Sequence, residues 1–135
     1  CLAKMTKDGE DMVLTVDFES DEAIYIQLRN QIIIGIAAER IREGDSLPSV
    51  RQLADNIGIN MHTVNKAYAV LKQEGFIKLD RRKGAVIALD ADKLRAMEEL
   101  REDLAVVLAR SICRRISRQE VHGLVDEIYG YYTGK

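Results

Sequence analysis

Two short amphipathic segments joined by a glycine-centred turn place the strongest constraint on how this chain can fold. Residues 50–57 and residues 61–74 each carry apolar side chains on one side of a helix. The turn between them, residues 56–60, has the length and the glycine of a helix-turn-helix. Ser49 and Asn60 stand immediately before the two segments and are predicted to cap them. The pattern therefore predicts two short helices that pack against each other across a tight turn.

A basic β-hairpin is predicted directly after the second helix. Residues 76–79 and 85–89 are short, largely apolar runs typical of strands, and the turn between them carries three consecutive basic side chains. A hairpin at this place is the wing of a winged helix-turn-helix. We predict a mostly α-helical fold with a small β-hairpin wing over residues 12–89, which begins with a strand at 13–18 and a helix at about 23–40.

The positive charge of the chain is concentrated where these motifs lie. The formal net charge is −2, but residues 40–84 carry nine basic and five acidic side chains and hence a local charge of +4. Residues 1–39 carry −5 and residues 85–135 carry −1. Affinity for nucleic acid depends on the local electropositive face, because each contacted phosphate releases counterions. The weakly acidic total therefore does not exclude a DNA-binding protein.

Residues 90–135 are predicted to form two amphipathic helices, the second of which begins after Ser117 with a capping-box pattern. In the first, apolar residues alternate at steps of three and four, as in the seam of a coiled coil. Helices this short need either the body of the domain or a second copy of the chain, and both arrangements are open at this point. We favour a homodimer through the apolar positions Leu94, Met97, Leu100, Leu104, Val107, Leu108, Val121, Leu124, Val125 and Ile128.

Composition and motifs disfavour several other classes of protein. No apolar run approaches the ~20 residues of a membrane helix, and no signal-peptide pattern is found. We expect a cytoplasmic protein in which Cys1 and Cys113 stay reduced. No catalytic triad, phosphate-binding loop or metal-ligand spacing is found, so no enzymatic activity, cofactor or metal is expected. Residues 1–11 are expected to be disordered or foreign to the natural protein.

Several separated motifs together resemble the GntR family of bacterial regulators, and within it the YtrA-type branch. They lie at residues 24–28 (Ile-Tyr-Ile-Gln-Leu), 44–54, 60–68 (Asn-Met-His-Thr-Val-Asn-Lys-Ala-Tyr) and 71–77. The resemblance implies a winged helix-turn-helix that binds operator DNA. The 46 residues after Leu89 are too few to enclose a typical metabolite pocket of ~300 Å³ or more. The resemblance to the YtrA-type branch implies instead that this two-helix tail dimerises.

Two surfaces are predicted to contact DNA: the exposed side of the second helix of the motif, and the tip of the wing. Asn65 can pair with adenine, Lys66 can reach guanine or a phosphate, and Thr63 can donate to a phosphate. The resemblance also implies a DNA contact by Arg51. The predicted site comprises Ser49, Arg51, Asn60, Met61, His62, Thr63, Asn65, Lys66, Arg81, Arg82, Lys83 and Gly84.

Each of these assignments has a structural alternative. Exposed polar residues of an amphipathic helix are often only solvated, and Arg51 can form a surface ion pair with Asp55 four residues on. The basic tip can be a solvated turn in which Gly84 only supplies a positive φ. Met61 stands where the family often has proline or arginine, which weakens the case for base reading at that position.

We expect a sequence-specific transcriptional regulator, acting as a repressor, whose homodimer binds an inverted repeat in double-stranded operator DNA. The alternative is a winged-helix module that dimerises and binds proteins without specific DNA contacts. A small-molecule effector of unknown identity is compatible with the first interpretation.

Overall fold

A computed structural model describes the backbone of residues 2–7 and 10–134 and the side chains of residues 14–134. The chain divides into two compact units, Cys1–Asp90 and Ala91–Lys135. The elements, in order, are β1 (Leu2–Lys7), β2 (Glu10–Thr15), α1 (Ile24–Ala37), α2 (Val50–Ile57), α3 (Met61–Gln73), β3 (Ile77–Asp80), β4 (Gly84–Ile87), α4 (Lys93–Cys113) and α5 (Arg118–Thr133). The predicted fold class, mostly helical with a small wing and two amphipathic helices after it, is confirmed.

β1 and β2 form an antiparallel hairpin, with Leu2 opposite Thr15 and Lys7 opposite Glu10. The sequence predicts disorder for residues 1–11, whereas residues 2–7 and 10–11 lie in these strands; residues 1, 8 and 9 lie outside the described residues. β1 is held by its backbone pairing with β2. The pattern of apolar residues in a sequence does not reveal such pairing. The Asp-Gly dipeptide at positions 8 and 9, a favoured two-residue hairpin connection, is the sequence signal for it.

Two glutamines of α1 fasten the end of β2 to that helix. The Gln31 side chain accepts a hydrogen bond from the Thr15 amide (3.2 Å) and donates one to the Thr15 carbonyl (2.7 Å). The Gln27 side chain does the same for Asp17 (2.8 and 3.0 Å) and also donates to the Glu22 carbonyl (2.9 Å). The side-chain amides of Gln31 and Gln27 thus give the backbone of Thr15 and Asp17 the hydrogen bonds that a neighbouring strand would provide.

The core of the first unit lies among its three helices and the wing. Its centre consists of six side chains with no exposed surface, Leu28 and Ile32 from α1, Leu53 from α2, and Val64, Ala67 and Leu71 from α3. β2 adds Leu14 and Val16, and the wing adds Ile77 and Ile87. Complete burial of a side chain of this size stabilises the fold by about 1.5–3 kcal/mol. This core fixes the angle between α2 and α3.

The helix-turn-helix has the predicted bounds and caps. Ser49 and Gln52 form a capping box: the Ser49 hydroxyl accepts from the Gln52 amide (3.1 Å), and the Gln52 side chain accepts from the Ser49 amide (3.2 Å). Gly58 ends α2 in the left-handed conformation, with φ of 80°. The Asn60 side chain then accepts from the His62 amide (2.8 Å) and caps α3.

The wing is a two-stranded hairpin extended by a third stretch of chain. β3 and β4 pair antiparallel, with Ile77 opposite Ile87 and Asp80 opposite Gly84. The segment before α2 adds to the outer edge of β4, because the Leu47 amide donates to the Ala85 carbonyl (2.8 Å) and the Ile87 amide donates to the Asp45 carbonyl (2.8 Å). The wing is therefore tied to the start of α2 as well as to α3.

The second unit consists of α4 and α5, and none of its described residues is buried. Ser117 and Glu120 form the predicted capping box at the start of α5 (3.0 and 3.1 Å). The two helices meet around the turn that joins them, where Leu108, Ile112 and Val121 line a cavity of about 370 Å³. No helix in the described part of the chain is both long and apolar enough to cross a membrane.

We predict that Gly75→Ala lowers the free energy of unfolding by more than the matched substitution Gly58→Ala. Both glycines have a positive φ, 85° and 80°, which costs alanine roughly 1–2 kcal/mol. A Cβ at Gly75 would also lie 2.8 Å from the Cβ of Asp90, whereas a Cβ at Gly58 meets nothing within 4 Å. Urea denaturation of the two variants measures the difference; equal losses would contradict the close approach at Gly75.

Candidate nucleic-acid interface

A continuous cleft runs between α3, the start of α2 and the wing. One part, of about 530 Å³, lies at the start of α3 and is lined by Val50, Asn60, Met61, His62 and Asn65. A second part, of about 360 Å³, extends from there to the wing. Val50 and Asn65 line both parts, so the two form one surface. In the second part, Asn65 and Lys72 of α3 line one wall and Leu79 and Gly84 of the wing line the other, whereas the first part is lined by α2 and α3 and the turn between them.

The structure brings half of the predicted site residues to this cleft: Ser49, Asn60, Met61, His62, Asn65 and Gly84. All six are exposed. Ser49 and Asn60 use their side-chain oxygens as helix caps, which leaves the hydroxyl hydrogen of Ser49 and the amide group of Asn60 as donors. His62 and Asn65 project from the first turn and a half of α3, the part of a recognition helix that meets base edges.

Thr63 and Lys66 do not line the cleft, and Lys66 lies toward α1. Thr63 is half-buried. The ammonium group of Lys66 lies 4.2 Å from the centroid of the Tyr25 ring, a cation–π contact between α3 and α1. The polar spacing of α3 does not reveal this contact, because Tyr25 is forty-one positions away in the sequence. In the free chain Lys66 therefore joins two helices instead of pointing into the cleft.

Arg51 is exposed in the first turn of α2. The alternative assignment for this residue, an ion pair with Asp55, is not formed in the part of the chain with described side chains. The Arg51 guanidinium is thus available to an anion outside the chain.

The basic tip of the wing is held by an aspartate. One oxygen of Asp80 accepts hydrogen bonds from the Arg82 amide (2.7 Å) and the Lys83 amide (3.0 Å). These bonds hold the pKa of the Asp80 carboxyl below its usual range, and nearby Lys83 and Lys78 add to the effect. Gly84 closes the turn with φ of 73°. Arg81, Arg82 and Lys83 are all exposed on this ordered turn.

A buried tyrosine sets the position of α2 on α3. The Tyr68 hydroxyl donates to the Pro48 carbonyl at 2.7 Å, immediately before the start of α2. Burial raises the pKa of this hydroxyl far above its usual value, so it stays protonated and keeps donating over the whole physiological range. The bond joins the chain before Ser49 to α3, and both Pro48 and Tyr68 line the part of the cleft next to the wing.

Among the cleft-lining residues absent from the predicted site, two have long, exposed side chains, Lys72 and Leu79. Lys72 lies two turns after Asn65 on α3, and this seven-residue spacing is the signal that places both on one side of a helix. Leu79 lies on β3 and is 66% exposed, which is unusual for a leucine in a small sheet. No local sequence pattern singles out Leu79, because β3 is short and its sequence does not indicate which of its two faces is buried.

We predict that Asp80→Ala loosens the wing tip whereas Asp80→Asn preserves it. The two variants carry the same charge, but only asparagine retains an oxygen that accepts from the Arg82 and Lys83 amides. Amide hydrogen exchange at these two positions should speed up in the alanine variant only; equal rates in both variants would contradict the role of the acceptor. In the unmodified chain the carboxylate's contribution is present above its unfolded pKa of about 4 and is lost as the pH falls through the lower folded-state pKa.

Comparison with known proteins agrees with this geometry. The family model for the bacterial regulatory proteins of the gntR family matches residues 21–87. The HTH-type transcriptional repressor YtrA of Bacillus subtilis is 30% identical over 119 residues, which are 86% of this chain and 92% of that protein. Among solved structures, YtrA from Sulfolobus acidocaldarius is 38% identical with a TM-score of 0.63, covering 74% of this chain and 97% of that one.

A transcriptional antiterminator from Listeria monocytogenes is 31% identical with a TM-score of 0.75, covering 84% of this chain and 87% of that one. The similarity to the two YtrA proteins extends beyond the winged helix-turn-helix into the two-helix tail. The chain belongs to the GntR family of DNA-binding bacterial transcriptional regulators, and within that family it is YtrA-like and has no enzymatic role.

Proposed function

We propose that this regulator is a repressor that binds an inverted-repeat operator as a homodimer. The observation that carries the proposal is the continuous cleft between α3 and the wing. It lies in the segment of the chain with a local charge of +4, and exposed polar side chains line it. A cleft of this shape straddles one sugar–phosphate backbone, with a helix in the major groove and a wing over the neighbouring minor groove.

In this proposal each part of the site has its own role on DNA. Asn65 and His62 on α3 contact base edges and give the specificity. Arg51 at the start of α2 and Lys72 at the far end of the cleft contact phosphates and fix the register. Arg81, Arg82 and Lys83 reach the backbone or the minor groove from the wing. Lys66 acts through its contact with Tyr25, which orients α3 on α1.

We also propose that the protein represses transcription and that it acts in the cytoplasm. The relative from Bacillus subtilis is named a repressor, and its similarity covers most of both chains. A repressor needs only to occupy its operator, and this chain supplies a DNA-binding unit and a two-helix tail.

The homodimer is proposed from the surface of the tail. Along α4, Met97, Leu100, Leu104 and Val107 are 40–51% exposed, and along α5, Leu124, Val125 and Ile128 are 47–51% exposed. Leu108 and Val121 are half-buried, because they line the cavity at the α4–α5 turn. A monomer leaves these apolar stripes in water, whereas a second copy of the same stripes would cover them.

We predict that Asn65→Ala weakens binding to the selected operator by roughly 10- to 100-fold, as expected for the loss of one bidentate base contact. Gln73→Ala is the matched control, because Gln73 is an exposed amide near the end of α3 and does not line the cleft. Fluorescence anisotropy with operator and scrambled duplexes at about 150 mM salt measures both. Equal affinity of the unmodified protein for the two duplexes would overturn the sequence-specific function.

We predict that Leu104→Glu makes the protein monomeric and reduces operator affinity by ~10²–10⁴-fold, because the two DNA-binding units are no longer tethered. Two carboxylates near a two-fold axis would repel each other and lose hydration. Val106→Glu is the control: Val106 is also exposed but lies on the opposite side of α4. Sedimentation velocity reports the assembly. A Leu104→Glu variant that remains dimeric would exclude this face of α4 from the interface.

A further inference from the structure

The charges of α4 are unevenly distributed along the helix. Its acidic residues, Glu98, Glu99, Glu102 and Asp103, all lie within residues 93–103, which also carry the basic residues Lys93, Arg95 and Arg101. After Asp103, the helix and its C-cap carry only basic charges, at Arg110 and Arg114. Up to Asp103 the helix therefore has a net charge of only −1, whereas beyond it the charge is positive, and this polarity favours a second copy that runs in the opposite direction.

The relevant charges lie along one edge of the apolar stripe. With Met97, Leu104 and Ser111 at successive a positions and Leu100 and Val107 at d positions, Asp103 and Arg110 both fall at g positions, one heptad apart. Both side chains are exposed. Within the described part of the chain neither forms an ion pair, whereas Arg95 and Glu99, on another side of α4, pair with each other at 3.1 Å.

The direction of pairing decides whether these charges meet. In a parallel pair, g positions face e positions of the next heptad, so Asp103 would face Leu108, and Arg101 would face Ala96. In an antiparallel pair, g faces g, and in the register that places Leu104 opposite Val107, Asp103 faces Arg110 of the second copy; the two-fold axis repeats the contact. Only the antiparallel arrangement pairs opposite charges.

The centre of the antiparallel seam is apolar, and Met97 at its end would lie opposite Arg114, the C-cap of the helix. Leu104 would lie opposite Val107, and Leu100 opposite Ser111. Ser111 is the one polar residue in these two pairs, and its hydroxyl already donates to the Val107 carbonyl of its own helix at 3.0 Å. Burial of Ser111 in the seam therefore leaves no donor without an acceptor.

We propose that α4 pairs antiparallel with α4 of a second copy of this chain, with Leu104 opposite Val107 and Asp103 opposite Arg110. The proposal rests on the homodimer proposed above and adds its direction and register. It also has a geometric consequence. The first residues of the two α4 helices would lie about 35–40 Å apart, at 1.5 Å per residue from the two-fold axis.

Charge reversal tests the register. Asp103→Arg would place like charges opposite each other twice per dimer, as would Arg110→Glu, and we expect each variant to raise the dimer dissociation constant about tenfold. The double variant restores opposite charges and should return to within about threefold of the unmodified protein. Glu102→Arg makes the same charge change at an f position and should leave the constant unchanged. Sedimentation equilibrium measures all four; a double variant as weak as the single ones would overturn the register.

Disulfide formation tests the direction independently. With Cys1 and Cys113 replaced by serine, chains carrying Leu104→Cys and chains carrying Val107→Cys are oxidised separately and then as a mixture. Antiparallel pairing predicts efficient cross-linking only in the mixture. Cross-linking of Leu104→Cys chains alone with equal efficiency would indicate parallel helices and overturn the proposal. A monomeric unmodified chain would instead refute the homodimer itself, so the two failures are distinguishable.

Discussion

The buried face of α3 is the constraint on which the rest of the DNA-binding unit depends. Val64, Ala67 and Leu71 have no exposed surface, and they contact the side chains that α1 and α2 contribute to the core. Because this face is fully occupied, the opposite side of α3 must be in solvent. Asn65, His62 and Lys72 lie there, the first and last of them beside the wing, on a helix that cannot rotate without uncovering the core.

Polar contacts then set the details that apolar packing leaves free. The Tyr68 hydroxyl holds the chain at Pro48, and the Ser49–Gln52 capping box begins α2 one residue later. On the other side of the cleft, Asp80 orders the wing tip through two backbone amides. Each of these groups positions an exposed basic residue, Arg51 in the first case and Arg82 or Lys83 in the second. Preorganisation of this kind reduces the entropy lost when such side chains bind an anion.

The tail follows a different principle. Its helices are well capped, by Asp92 for α4 and by the Ser117–Glu120 box for α5, yet no described residue in it is buried. Helices of this length gain most of their stability from packing of an apolar face. The helix ends are ordered, but the apolar stripes of α4 and α5 are not buried. This contrast is the physical reason to propose that a second copy of the chain covers the stripes. The spacing of apolar and charged residues along α4 is the main basis for the proposed pairing with that copy.

The sequence by itself determined the elements whose signals are local. The bounds of α2 and α3, the caps at Ser49 and Asn60, the wing and the capping box at Ser117 all follow from residues a few positions apart. Family resemblance extended this local pattern to the class of function. The pairing of β1 with β2 was not predicted, because it depends on backbone hydrogen bonds that the pattern of apolar residues does not reveal.

Only the tertiary structure decided which exposed side chains share a surface. Lys66 and Asn65 are adjacent in sequence, yet Lys66 lies over Tyr25 of α1 and Asn65 lies in the cleft. Lys72 and Leu79 join that cleft because α3 and β3 meet there, and the Tyr68–Pro48 bond spans twenty residues. The physical reason is that helix periodicity fixes which residues lie on the same side of one element. Which neighbour that side meets depends on how separate elements pack, and this is set by contacts between residues far apart in the chain.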